Sequence, residues 1–337
     1  MRRLAGTALG VALAASTPGT AATDAAAPVA AEGAFATLFE PSGVAQLPDG
    51  TLLVVEDEAA QALRRVRLDA DGARPRTPEE TVLAPAGGVL ARFAIGPLDD
   101  LEGAASDASG RVFAVGSHGE GGRAADRRKL VRFSVRGDGA ADVVLTRDLR
   151  RDLSRAHPAL AAAFDGADGP LNIEGLAYDR RRGALLIGLR APRLDDRAVI
   201  VRLLNPDAYV ADGARPTFDA EPWTVALDGG GVRAMGYDEA SDRLLLVSRR
   251  ESRGGGRFKL WHLPADGSGR PSRVRLSGAK DVFDDVEGLA VLERGPDAGA
   301  EVLFVRDDGR RGKGRGASWF VLPRARLGLD RPGRRRR

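Results

Sequence analysis

Across 337 residues only 5% are aromatic and cysteine is absent, so the core must be built mainly from Val, Leu, Ile and Ala, with no disulfides and no thiolate metal sites. Glycine (43 residues) and proline (19 residues) are spread along the whole chain, which suits many short strands joined by turns and argues against a helical bundle. Of 51 basic residues, six (Arg2, Arg3 and Arg334–Arg337) are terminal; the remaining 45 face 47 acidic residues of interspersed sign, so the concentrated basic face of a nucleic-acid binder is missing.

The chain opens on the basic pair Arg2–Arg3 and an uncharged run, Leu4–Ala15, of about the length of a signal-peptide h-region. Thr20-Ala21-Ala22 supplies the small residues of a cleavage site. Residues 1–22 are therefore expected to direct export, leaving a secreted or periplasmic protein that begins near Thr23. The apolar run is too short to span a bilayer, and no later segment is apolar enough. Residues 23–33 read as a linker, 34–326 as a single domain, and 327–337 as a basic disordered tail.

Within the domain five segments repeat one pattern: a short apolar strand, a Gly or Asp turn, then a second strongly apolar strand. They start at Pro41, Asp100, Asn172, Val232 and Asp285, and their second strands end at Val55, Val115, Ile187, Val247 and Val305. A small residue recurs at Gly43, Gly103, Gly175, Ala234 and Gly288, at intervals of 54 to 72 residues. Third and fourth strands follow, as Leu130–Val135 with Val143–Thr146, Val199–Leu204 with Trp223–Leu227, and Phe258–Leu263 with Val274–Leu276. Four antiparallel strands per repeat make a propeller blade, so the expected fold is an all-β, five-bladed β-propeller.

The fifth repeat shows three strands, the last being Trp319–Leu322, while Phe35–Glu40 lies unassigned before the first repeat. That surplus strand would complete the fifth blade and close the ring. Six blades is the alternative, because the intervals are generous and Val89–Ile95 has no place. One short helix is expected within 150–165, between the second and third blades.

Aligning the repeats puts one residue per blade at the start of the inner strand: Ser42, Glu102, Glu174, Arg233 and Glu287. Three carboxylates and a guanidinium would then converge on one end of the central channel. Calcium held by Glu102, Glu174 and Glu287 would suit these oxygen donors. Arg233 at the centre is its rival, and a purely structural role for each Glu-Gly pair is the third reading. Charges about 4 Å apart interact by roughly 4 kcal/mol at an effective dielectric near 20. Loss of Arg233 should thus cost about 1–3 kcal/mol, more at pH 7 than at pH 4.

The loops between second and third strands open on the same rim. They add Glu56, Asp57, Ser117, His118, Arg190, Arg249, Arg250, Arg306, Asp307 and Asp308. His118 is a candidate general base if it stands beside the carboxylates. Phosphate-binding glycine loops, a Gly-x-Ser-x-Gly elbow and His-Glu-x-x-His are all absent.

Several stretches resemble a bacterial propeller-like family catalogued as a domain of unknown function, number 3616. They are Asp100–Ala105, Gly116–Gly119, Asn172–Ala177, Leu185–Pro192 running into Ala198–Val201, Gly229–Arg233 and Phe283–Ala290. The family usually has Gly where Ala191 stands, and a more basic loop at Glu120–Arg128. The Glu-Gly-Leu-Ala blade starts are also distantly similar to esterase-like phytase propellers. The resemblance implies the fold and no activity. Two functions stay open: an exported monomer binding a small ligand or partner protein on the rim, with Glu102, Glu174, Arg233, Glu287, His118, Arg190 and Asp308 as the binding residues, or a secreted hydrolase of phosphate or carboxylate esters using calcium. No complete nucleophile–base pair can be named, so whether the protein is an enzyme is open.

Overall fold

The computed structural model describes residue 29 and residues 31–57, 62–68, 79–82, 84–85, 98–120, 124–137, 139–164, 170–251, 256–276, 281–293 and 300–329. The expected signal segment, Val89–Ile95, and the terminal arginine run lie outside these residues. The strands form five sheets, and consecutive inner strands pack against one another around a ring, the fifth returning to the first. The chain is a five-bladed β-propeller, and the six-bladed alternative falls away.

Blade 1 holds Pro41–Gln46, Leu52–Glu56, Leu63–Arg67 and Glu79–Val82, from the axis outwards. Blade 2 holds Leu101–Ser106, Val112–Gly116, Leu130–Arg136 and Gly139–Thr146, with Ala84–Pro85 added parallel at its outer edge. Blade 3 runs Asn172–Asp179, Ala184–Leu194, Arg197–Leu203 and Trp223–Val225. Blade 4 runs Gly231–Asp238, Arg243–Arg249, Phe258–Pro264 and Ser272–Arg273. Blade 5 consists of Val286–Leu292, Glu301–Arg306, Ser318–Pro323 and the N-terminal strand Ala31–Ala34.

The turns follow from local chemistry. In blades 1 and 2 the inner hairpin ends on Gly50 (φ 79°) and Gly110 (φ 81°), a left-handed position that favours glycine. An aspartate braces each turn, Asp49 accepting from Thr51 N at 3.0 Å and Asp107 from Ser109 N at 2.8 Å. Each gap between blades is filled by one apolar cluster. The cluster between blades 5 and 1 includes Val44, Leu52, Val54, Leu303, Val305, Trp319 and Val321, so the ring is sealed by the same packing as its other seams.

Five expected placements are revised. The closing strand is Ala31–Ala34, paired with Ser318–Val321, not Phe35–Glu40. Phe35 and Leu38 are buried three residues apart with Ala36 and Thr37 exposed between them, a spacing that breaks the two-residue period of a strand. The expected linker therefore gives up Ala31–Gly33 to the propeller, and the expected tail gives up Leu327 and Leu329, which are buried between blades 4 and 5. The single helix is two, Leu149–Ala156 and Pro158–Phe164, because His157 precedes a proline and takes an extended conformation at φ −130°, ψ 89°. In blade 4 the outer strand is Ser272–Arg273, and Val274 N only prolongs its pairing with a bond to Leu260 O at 2.9 Å. No helix among the described residues is long and apolar enough to cross a membrane.

The recurring small residue answers to the crowding of inner strands at the axis. A Cβ on Gly43 would stand 2.7 Å from Ala104 N and 2.8 Å from Gly103 Cα, both backbone of the next blade. Gly43→Ala is expected to cost about 2–3 kcal/mol in chemical denaturation, because blades 1 and 2 must part. Gly312→Ala, where a Cβ meets open space, is the control and should leave stability within about 0.5 kcal/mol.

Candidate functional site

The five aligned residues share one backbone device. In each inner strand the pairing register slips across a single residue: Ser42, Glu102, Glu174, Arg233 and Glu287. Each is the extra residue of a β-bulge, which bends its strand and frees its side chain from the pleat. The small residue follows at once, so every blade opens with a re-aimed side chain next to a close approach to its neighbour.

Across blades 3, 4 and 5 these side chains meet. Arg233 Nη1 lies 2.8 Å from Glu174 Oε2 and 3.1 Å from Oε1, and Arg233 Nη2 donates to Glu287 Oε1. Arg190 reaches Glu174 Oε1 at 2.6 Å and Glu251 Oε1 at 3.1 Å. Arg233 and Glu174 are almost wholly buried. Burial pushes Glu174 up to about 7 even though Arg233 and Arg190 oppose the shift. Burial alone would lower Arg233, but Glu174 and Glu287 raise it, so it stays cationic.

Glu102 differs from the other two glutamates. It keeps some exposure to the channel, and among the described residues no hydrogen bond or ion pair engages its carboxylate. Burial, then the negative charges of Glu174, Glu287, Asp100 and Asp57, hold its pKa well above the usual glutamate range. The acidic field extends onto blades 1 and 5. Burial and Asp100 push Asp57 up to about 7, and burial with Glu287 and Glu40 pushes Asp307 up to about 6. On blade 2 the nearest counter-charge is Arg127, whose Nε stands 3.2 Å from Asp99 Oδ2 and 3.6 Å from Asp100 Oδ2.

Of the seven residues expected on the rim, Glu102, Glu174, Arg233, Glu287 and Arg190 form one electrostatic cluster, and His118 and Asp308 stand apart from it. His118 is fully buried in a left-handed turn (φ 61°), and its Nδ1 lies 2.9 Å from Gly116 O. Burial lowers its pKa to about 4, with Arg128 and Arg150 adding to the effect, so the ring is neutral and has no carboxylate partner. Ser117 donates to Asp100 and accepts from Gly119 N at 2.9 Å, which leaves no serine–histidine pair on this loop. Asp308 accepts from Ser318 N at 2.6 Å and Ser318 Oγ at 2.7 Å, tying its loop to the third strand.

Asp57, Asp100 and Asp307 belong to the site more closely than either. Their signal was the repeat itself: Asp57 N, Ser117 N and Asp307 N each donate to the carbonyl of the residue just before the inner strand, namely Glu40, Asp100 and Asp285. Among the described residues no group of three His, Asp or Glu side chains could hold a metal ion. The guanidinium of Arg233 stands between Glu174 and Glu287, where a cation shared by the glutamates would lie.

Fold and site together define a β-propeller with a charged channel mouth. No protein-family model matches the chain, and no curated protein matches it either. Among solved structures it is similar to a Thermus thermophilus protein assigned as an oxidoreductase (glucose dehydrogenase), at 17% identity and TM-score 0.42, covering 86% of this chain and 99% of that one. The Malassezia sympodialis allergen Mala s 1 is similar at 15% identity and TM-score 0.41, with 85% and 80% covered. A chain of the mitotic checkpoint complex follows at 9% identity and TM-score 0.34, with 84% and 63% covered.

Because Arg233 is buried with its partners, removing it takes the guanidinium from Glu287 and leaves Glu174 with Arg190 alone. Arg233→Ala is expected to lose about 3–5 kcal/mol at pH 8, above the range its sequence position suggested. The loss should shrink at pH 5. In the variant Glu174 loses the guanidinium that most opposes its raised pKa, and the penalty exists only while the carboxylate is ionised, so protonation relieves it. Urea denaturation at the two pH values measures the difference; equal losses would assign the pair a purely steric role.

Proposed function

We propose that this chain is a binding propeller that takes a positively charged group into the mouth of its central channel. The observation that carries this reading is Glu102, a carboxylate without a hydrogen-bond or ion-pair partner among the described residues, in the field of Glu174, Glu287, Asp100 and Asp57. An ammonium or guanidinium group of a small ligand or partner protein would supply the missing charge there and leave the Arg233 bridge intact. Calcium shared by Glu102, Glu174 and Glu287 would first have to displace Arg233. Hydrolysis has less support, since Ser117 and His118 are both engaged elsewhere.

Isothermal titration with arginine, methylammonium and calcium at pH 8 and pH 5.5 tests the reading. An organic cation should bind saturably at pH 8 and more weakly at pH 5.5, as Glu102 takes up a proton. Glu102→Gln should abolish that binding. Absence of cation binding to the native protein, or equal binding by the Gln variant, overturns the reading; preference for calcium, strengthened in Arg233→Ala, replaces it with a metal site.

A second readout concerns stability. The raised pKa of Glu102 means that its ionised form is a burden in the folded state above that pKa, and the burden fades as pH falls towards the ordinary glutamate range. Glu102→Gln should therefore be more stable than the native protein at pH 8, by about 1–3 kcal/mol. The two should converge towards pH 4.5. Thermal melts across that interval check the sign.

A further inference from the structure

On the outer edge of the ring lies a cleft of about 420 Å³ that shares no residue with the channel mouth. One wall is the helix Leu149–Ala156, preceded by Asp148. Asp148, Arg151, Asp152 and Arg155 line the cleft at helical spacings of three and four, so they share one face. The other wall is the segment Gly213–Phe218, held in place by Asn205: its Nδ2 donates to Arg215 O at 2.9 Å, and its Oδ1 accepts from Thr217 N at 2.7 Å.

The charges of this cleft are unequally used. Asp152 is buried and accepts from Tyr209 Oη at 3.0 Å and from Arg151 Nε at 3.0 Å. Arg151 also reaches Asp148 Oδ1 at 2.9 Å, so both acids of the cleft are bonded within its wall. Arg155 and Arg215 are exposed, one on each wall, and neither has a partner among the described residues. The apolar part of the lining is Ala156, Pro216 and Phe218. Behind Phe218 packs His157, ring centroids 5.7 Å apart, with only 2% of its surface exposed and neither ring nitrogen hydrogen-bonded. Burial lowers the pKa of His157, so it adds no positive charge of its own at neutral pH.

We infer that this cleft binds a small organic anion, a carboxylate or phosphate ester carried on a planar apolar body. The two arginines offer planar forks that match an oxyanion, neither is paired among the described residues, and the cleft lining carries one more basic than acidic side chain. The Phe218–Pro216 surface accepts the body, and Asn205 fixes the loop before the ligand arrives, which lowers the ordering cost of binding. A cation is disfavoured, because Asp148 and Asp152 are already bonded within the wall.

The test is calorimetric titration of the full chain with phenyl phosphate and benzoate, against benzyl alcohol and benzylamine as neutral and cationic counterparts. Saturable binding of one or both anions is expected; which of the two binds more tightly tells phosphate from carboxylate. Binding should weaken as salt is raised. The double variant R155Q/R215Q should lose roughly tenfold or more in affinity, a change of about 1.4 kcal/mol or more, with its melting temperature unchanged because both side chains are exposed. Glu102→Gln should bind the anions as the native protein does, which separates this site from the channel mouth. No saturable anion binding, equal affinity for benzyl alcohol, or undiminished binding by R155Q/R215Q overturns the inference.

Discussion

Five inner strands must pass one another at the axis with almost no space between them, and the rest of the molecule is arranged around that constraint. The crowded position is glycine in four blades and alanine in the fifth; its would-be Cβ meets the neighbouring blade at 2.7–2.8 Å at Gly43, Gly103 and Gly175, and at 3.3 Å at Gly288, where Val305 of its own blade stands at 2.6 Å. The residue just before it is the bulged one, released from the pleat in each blade. Close approach and bulge together force one side chain per blade towards a common end. Whatever the sequence places there becomes a shared site, and four of the five residues placed there are charged.

That concentration of charge is tolerable because of one guanidinium. Glu174 is buried, and a buried carboxylate without a counter-charge would be neutralised or would unfold its surroundings. Arg233 pairs with Glu174 and Glu287 and so ties three consecutive blades together by a polar contact in a ring otherwise sealed by apolar seams. Its position fixes which acids are satisfied. Glu174 and Glu287 have their partner, and Glu102, on blade 2, has none among the described residues.

The architecture was legible because propeller blades announce themselves locally: an apolar hairpin with Asp or Gly in its turn needs only period two and turn chemistry to be read. Ring closure was legible in number and not in register. The strand Ala31–Ala34 is short and alanine-rich, and the more apolar Phe35–Glu40 looked the better strand, yet Phe35 and Leu38 are buried by packing in the seam between blades 5 and 1. The convergence of Glu102, Glu174, Arg233 and Glu287 was readable from their equivalent places in the repeat. His118 was misjudged because exposure depends on how a loop folds back, and this one buries the ring against its own backbone. Asp57 and Asp307 stood among the loop candidates, but their raised pKa values depend on neighbours from other blades, which no local pattern reveals.

The two ends of the channel use the same residue types to opposite effect. At the hairpin end, burial opposes ionisation of Asp49 and Asp107, yet bonds from Thr51 and Arg65, and from Ser109 and Arg111, pull both below the usual aspartate range. Arg182 does the same for Asp242, and Ser268 for Asp266. Arg180 bridges Glu293 at 2.8 Å and Ser106 Oγ at 3.0 Å, so the charges there are closed on one another. At the mouth Asp57, Glu102, Glu174 and Asp307 are all held above their ordinary values, chiefly by burial and mutual repulsion. Carboxylates that brace turns gain stability from ionisation, whereas those at the mouth lose it. A chain with 49 other basic residues besides Arg233 and Arg190 had the means to neutralise the mouth as it did the hairpin end. Leaving it acidic costs stability, a cost that the proposed binding of a cation would relieve.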